Sequence, residues 1–389
     1  MRTLFWIAAL GCLLAVVAPA AAATPSPHSS ASGQPYVLEH AEQRLMTASG
    51  SGRRYQVSIA VPQQPAPDGG YPVIYVLDGN AMFLTAVEAV RAWARRRDDG
   101  APPQALVVGI GYPPGSDIPA ERTFDFTPPL ADMRGPYRTG GRDDFAAFIV
   151  DDLKPVVARD YPVDPQRQAL IGHSLAGLFV LGTLTRQPEV FQTWVAMSGS
   201  FWFGGHAIVP RIAGFAAERS ADAGLERVLL TVGEYEEKVH PAAWARNPER
   251  AARMLEELGR RGQVTHARGT AERLAAAPGM LVDFVEIAGE DHGSVVPAAI
   301  SRAVAFFLAG PSVVPGVPTG QEYLDLGADG RYRLRMQVRA LPDLHRIPWL
   351  NGLKASLQQL DQPTREMLHG ERQAMDERHG SRPHAVNAD

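Results

Sequence analysis

Cysteine is nearly absent: Cys12 is the single one in 389 residues. It lies inside an apolar amino-terminal segment, so cleavage near Ala23 leaves a mature chain without thiols. Disulfides, thiolate chemistry and cysteine-ligated zinc are then excluded. Histidine pairs with metal-site spacing are missing too, as is H-E-x-x-H. Net charge is small, with 38 Lys and Arg against 42 Asp and Glu, or −4. No global field draws nucleic acid, and no nucleic-acid motif occurs. There is no internal repeat, and no pattern calls for a cofactor.

The amino terminus carries Arg2, an apolar run from Leu4 to Val17, and the small residues Pro19-Ala20-Ala21-Ala22-Ala23. This is the layout of a cleaved secretory signal, residues 1–23. The run is short for a membrane span. Export to a periplasm is the expectation, with secretion as second choice and no stable membrane insertion after cleavage. Residues 24–35, rich in Pro, Ser and Ala, read as a flexible leader.

From Tyr36 the composition changes, and a 45% apolar fraction supports a substantial core. Strands are expected at Tyr55–Val61, Pro72–Leu77, Ala105–Ile110, Ala169–Ile171, Thr193–Met197, Arg227–Val232 and Leu281–Ile287. Helical stretches fall between them, at Met82–Arg95, Phe145–Val157, Leu178–Thr185 and after Asn247, with Val295–Leu308 closing the series. Strands alternating with helices at this spacing predict an α/β domain over 36–310 with a mostly parallel, doubly wound sheet. Residues 311–389 read as a linker, Pro311 to Pro315, then amphipathic helices around Tyr332–Arg339, Trp349–Leu360 and Pro363–Met375. Disorder is expected from His379 onward. The sequence sets no oligomeric state.

Ser174 lies in Gly172-His173-Ser174-Leu175-Ala176-Gly177, between an apolar strand and a helix. That is the layout of a G-x-S-x-G nucleophile elbow, with Ala176 in the last small position. A serine hydroxyl is a poor nucleophile near neutral pH and needs a base, which needs an orienting acid. His292, in Gly289-Glu290-Asp291-His292-Gly293 after the last strand, has the order and spacing of that base. The acid is expected just past Arg227–Val232, in Gly233-Glu234-Tyr235-Glu236-Glu237, where three carboxylates compete. An oxyanion hole needs two amides. Leu175, after the nucleophile, supplies one, and Tyr112, in the loop Gly111-Tyr112-Pro113-Pro114, is expected to supply the other. His173 is expected to point beneath the elbow, His206 and His240 to edge the site, and His266 to lie at a helix surface.

Beyond the elbow, Tyr75-Val76-Leu77-Asp78-Gly79-Asn80, Arg122-Thr123-Phe124-Asp125-Phe126-Thr127-Pro128-Pro129, Ser198-Gly199-Ser200-Phe201-Trp202 and the His292 loop resemble the trilactone siderophore esterases of the α/β-hydrolase superfamily, such as ferric-enterobactin and salmochelin hydrolases. The resemblance covers about Tyr36 to Leu308 and does not reach the tail. It implies an α/β-hydrolase fold and hydrolysis of ester bonds in a catecholate trilactone. Related hydrolases carry the acid three residues after the strand-ending glycine, which selects Glu236, with Glu234 in reserve. A ferric tris-catecholate is an anion, so Arg122 is expected to face it, assisted by Arg138 and Arg142, with Trp202 and Tyr112 offering aromatic faces. Pairing of Arg122 with Asp125 or Glu121, and burial of Trp202 in the core, are the competing expectations. A feruloyl- or acetyl-esterase-like enzyme and a non-catalytic binding protein are the alternative functions.

Overall fold

A computed structural model of the chain describes residues 37–95, 104–130, 136–309 and 313–379. The expected signal segment and leader, linker residues 311 and 312, and the end beyond His379 lie outside the described residues. Eight strands are present: β1 (Ala41–Thr47), β2 (Arg54–Ala60), β3 (Tyr71–Val76), β4 (Leu106–Gly111), β5 (Val163–His173), β6 (Thr193–Met197), β7 (Glu226–Gly233) and β8 (Met280–Ile287). They form one sheet in the order β1-β2-β4-β3-β5-β6-β7-β8. β1 and β2 pair antiparallel with their neighbours, and all pairs from β4 to β8 are parallel. Every residue of β3, β4, β6 and β7 is buried. That explains the largely apolar runs of β3, β4 and β6: a parallel sheet is covered on both faces.

The chain leaves β3 towards β4 on one side and leaves β5 towards β6 on the other. Right-handed crossovers therefore put their helices, Gly79–Ala94 and Leu175–Leu184, on opposite faces of the sheet. The carboxyl ends of β3 and β5 are neighbours whose chains diverge, which opens a crevice between them. Two motifs meet there: Asp78-Gly79-Asn80 after β3 and Ser174 after β5.

Four helices, Gly320–Asp325, Gly327–Arg339, Asp343–Leu357 and Gln362–Arg378, make up the tail. They pack on β8, the terminal strand. Leu281 joins Tyr323, Val338, Leu341, Trp349, Leu353 and Leu368 in one buried cluster. An end strand exposes backbone donors that invite pairing with another chain. Here Val282 N–H is satisfied by His345 Nε2 at 2.8 Å. Among the described residues no helix is long and apolar enough to cross a membrane.

Candidate active site

β5 ends at His173 and the next helix starts at Leu175, so Ser174 alone makes the turn, at φ 61° and ψ −119°. A side chain is strained in that region by about 1–3 kcal/mol, and the surroundings must hold it there. Gly172 makes the turn possible: a Cβ at that position would lie 2.5 Å from the Ala176 carbonyl carbon and oxygen. The strained residue is pinned through its backbone. Ser174 N–H donates to the Met197 carbonyl at 3.0 Å, and its own carbonyl accepts from Leu178 and Ser200 N–H, each at 3.0 Å.

The Ser174 hydroxyl lies 3.0 Å from His292 Nε2, and His292 Nδ1 lies 2.7 Å from Glu236 Oε2. The other carboxylate oxygen, Oε1, accepts from the Ser198 hydroxyl at 2.5 Å and from Gly233 N–H at 2.7 Å. Burial pushes the Glu236 carboxyl up, but donors from His292, Ser198 and Gly233 outweigh it and hold the group below the ordinary glutamate range. The three carboxylates of this turn have separate partners. Glu234 accepts from Gly289 N–H at 3.0 Å, bracing the histidine loop, and Glu237 accepts from Thr265 N–H and its hydroxyl at 2.8 Å each. Glu234, the reserve choice for the acid, is thus engaged away from the imidazole.

His173 does point beneath the elbow, and it does more. Its Nε2–H donates to the His292 carbonyl at 2.8 Å, and the two rings lie 4.7 Å apart. Burial, then the proximity of His292, pushes His173 down to about 4, so its ring is neutral near neutral pH. His240 caps a helix, with Nδ1 accepting from Ala242 N–H at 3.1 Å. His206 and His266 lie ring to ring at 4.6 Å, and His266 is part of the helix Gln263–Ala275.

Leu175 N–H heads its helix and has no intrahelical acceptor. The second expected donor, Tyr112, is corrected by the structure. Its N–H is already given to Asn80 Oδ1 at 2.7 Å, and Asn80 Nδ2 returns a bond to the Tyr112 carbonyl at 2.9 Å. The loop of Tyr112 follows β4, whereas the strand beside β5 is β3. On the β3 side of the crevice the amides without intrahelical acceptors are those of Gly79 and Asn80, which open the helix Gly79–Ala94.

The ion-pair partners expected for Arg122 are corrected as well. Arg122 pairs with neither Asp125 nor Glu121, both of which take Arg53. Its Nε and Nη2 bind the two oxygens of Asp78 at 2.9 Å each. Asp78 is buried and left-handed, at φ 52°. The bidentate pair fixes the loop that presents Gly79 and Asn80 and uses two of the five guanidinium N–H groups.

A cavity of about 530 Å³ opens beside His292 and Glu236. Helices Pro241–Arg246 and Pro248–Arg261 contribute one wall, and the lining includes Trp202, Tyr235, Lys238, Arg246 and Arg261. Trp202 is partly exposed, 38%, with the Arg261 guanidinium 5.5 Å over its ring, so it is not a core residue. Neither Arg138, over the Phe124 ring at 5.0 Å, nor Arg142, bound to Asp143 at 2.9 Å, lines this cavity. The cations that do, Lys238, Arg246 and Arg261, were missed. Arg246 and Arg261 sit in a charged helical stretch that by sequence is indistinguishable from a solvated face, and Lys238 lies in the acidic turn before it.

Strand order and the elbow at Ser174 place the molecule among the α/β-hydrolases. The model of the Putative esterase family matches residues 48–277, and the chain belongs to that family of ester hydrolases. It is 36% identical to the ferri-bacillibactin esterase BesA of Bacillus subtilis over 283 residues, 70% of this chain and 91% of that one. It is 30% identical to the siderophore triacetylfusarinine C esterase of Aspergillus fumigatus over 289 residues, 70% and 94% of the two chains. Among solved structures, the siderophore hydrolase EstB from Aspergillus nidulans superposes with a TM-score of 0.63 at 29% identity. That match covers 72% of this chain and 99% of that one. The BES protein from Bacillus cereus superposes at 0.61 with 33% identity, covering 72% and 98%.

Proposed function

We propose that this protein is an exported serine esterase that hydrolyses the ester bonds of a catecholate trilactone siderophore. The carrying observation is the unbroken hydrogen-bond chain from Ser174 through His292 to Glu236, at 3.0 and 2.7 Å. Ser174 Oγ attacks the ester carbonyl while His292 Nε2 takes its proton, and Glu236 holds the imidazole and stabilises the cation that forms. The carbonyl electrons move to oxygen, where Leu175 N–H and an amide of the Gly79-Asn80 loop stabilise the charge. His292 then passes the proton to the departing hydroxyl, and water repeats the sequence to free Ser174.

The substrate class rests on the named activities of the relatives and on the cavity. Lys238, Arg246 and Arg261 present positive charge beside His292, which suits a polyanionic ferric catecholate, and Trp202 and Tyr235 offer flat faces to its rings. Iron here is the substrate's cargo. Opening the trilactone removes the preorganisation of its three arms and loosens their hold on the metal. Export rests on the Arg2 to Ala23 segment, and sequencing the mature amino terminus tests it.

The deciding experiment incubates purified protein with ferric and iron-free trilactones and follows linear fragments by chromatography. A fluorophosphonate adduct is mapped in parallel. Release of fragments, an adduct on Ser174 and loss of both in Ser174→Ala support the reading. Hydrolysis of p-nitrophenyl acetate with neither trilactone cleaved would remove the siderophore claim and leave a general carboxylic esterase.

A further inference from the structure

The turn after β6, Ser198-Gly199-Ser200, touches both ends of the serine–histidine–glutamate chain. Both serines are fully buried. The Ser198 hydroxyl donates to Glu236 Oε1 at 2.5 Å, and the Ser200 hydroxyl lies 3.2 Å from Ser174 Oγ. Backbone bonds hold the turn in place. Ser198 N–H donates to the Thr231 carbonyl at 2.7 Å, Ser200 N–H donates to the Ser174 carbonyl at 3.0 Å, and Gln263 Nε2 donates to the Gly199 carbonyl at 2.5 Å. Ser198 adopts φ 47°, a left-handed conformation in which glycine would be unstrained. A serine there carries a backbone penalty, and its hydroxyl is the group that offsets it.

We propose that Ser198 and Ser200 are positioning residues that set the direction of proton transfer along the triad. This rests on the serine-esterase reading above. The Ser174 hydroxyl has one proton and two neighbours in reach, His292 Nε2 and Ser200 Oγ. Only the first direction leads to reaction. When Ser200 donates to Ser174 Oγ, one lone pair of the nucleophile is occupied and the imidazole is the acceptor left for the Ser174 proton. At the far end, Ser198 and Gly233 occupy Oε1 of Glu236, so Oε2 faces His292 Nδ1. During attack the Ser174 proton passes to His292 Nε2, the new C–O bond forms from Ser174 Oγ, and the Ser200 proton stays on Ser200.

Ser198→Gly and Ser200→Ala in the full chain test this, read with a p-nitrophenyl ester and with the rate of fluorophosphonate labelling. Ser198→Gly relieves backbone strain but takes a donor from the buried Glu236, so Tm is expected to change little or fall modestly, while kcat falls about tenfold, equivalent to about 1.4 kcal/mol, with KM within about twofold. The charged and titratable groups around His292 are Glu236, His173 and Asp291, with Lys238, His240, Arg246 and Arg261 lining the cavity beside it. Loss of the Ser198 donor concentrates charge on Glu236, so the acid limb of the kcat/KM profile moves to higher pH. Ser200→Ala is expected to slow kcat and labelling together by about tenfold, with KM unchanged and the acid limb in place.

Variants whose kcat, labelling rate and pH profile all match the wild type would overturn the proposal. So would, in Ser198→Gly, a parallel fall in Tm and activity with no change in the pH profile, which would mean that the turn only packs. A wild type that fluorophosphonate fails to label would instead overturn the triad reading itself.

Discussion

Glu236 is 3% exposed and ionised, and three donors make that tolerable: His292, Ser198 and Gly233 N–H. Replacing it with Gln leaves the volume unchanged but turns one acceptor into a donor facing Nδ1–H. Glu236→Gln is expected to lower kcat by about a thousandfold or more, while Glu234→Gln, which loosens a brace on Gly289, costs less than about tenfold. Steady-state kinetics of the two variants would check this, and equal losses would count against Glu236 as the orienting acid. His173 gives a stability prediction with a definite sign. Its folded value of about 4 lies below the ordinary 6.5, so the unfolded chain takes up a proton that the folded chain refuses. Stability is unaffected above about pH 6.5 and falls as pH drops from there towards 4, by roughly 2–3 kcal/mol for this one group. Thermal unfolding across that window is expected to show a shallower dependence in His173→Gln. At this scale Ser174 and His292 were legible because an elbow and a terminal glycine loop are local patterns. The choice of Glu236 over Glu234 came from resemblance, since the two differ only in which one the turn aims inward.

Among the elements, the loop after β3 shows how a motif changes meaning once it is folded. Arg122, in the helix Ile118–Phe126, grips Asp78 and so fixes the loop that carries the amides of Gly79 and Asn80. Arg122→Lys keeps the charge and loses the two-pronged geometry. Its expected effect is a fall in kcat of about ten- to a hundredfold with KM within about threefold, as for a lost oxyanion donor. A rise in KM for a catecholate trilactone with kcat intact would return Arg122 to the role of substrate ligand. The helix Pro248–Arg261 was readable at both ends. Asn247 accepts from Arg250 N–H at 2.9 Å, and Gly262 closes the helix at φ 57°. Caps are made by residues a few positions apart, so sequence carries them. Neighbourhood in a sheet is not local: the β3–β5 pairing joins residues about a hundred positions apart, and the oxyanion loop was misplaced for that reason.

For the whole molecule, a net charge of −4 hides a cavity lined by Lys238, Arg246 and Arg261. These cations also have local partners, Lys238 with Glu234 and Glu286 and Arg261 with Glu257, and such exposed pairs exchange readily for a ligand anion. Raising ionic strength from about 0.01 to 1 M shortens the Debye length from about 30 to 3 Å. KM for a ferric catecholate trilactone is therefore expected to rise several-fold over that range, with KM for a neutral p-nitrophenyl ester nearly constant. Equal salt responses for the two substrates would mean that the cavity cations do not meet the substrate. The tail bears on the same scale by covering β8, where His345 and the Leu281 cluster occupy an edge that would otherwise invite another strand.

By itself the sequence determined the α/β alternation, the elbow at Ser174, the loop of His292 and the helical tail. Each is written in neighbouring residues through periodicity, capping or turn chemistry. Tertiary structure decided which strand lies beside β5, that Tyr112 spends its amide on Asn80 and Arg122 its charge on Asp78, and which cations face the cavity. Those outcomes depend on distances between remote segments. Such distances are set only when the sheet closes and buried groups such as Tyr112 N–H and Asp78 meet partners that offset their loss of water.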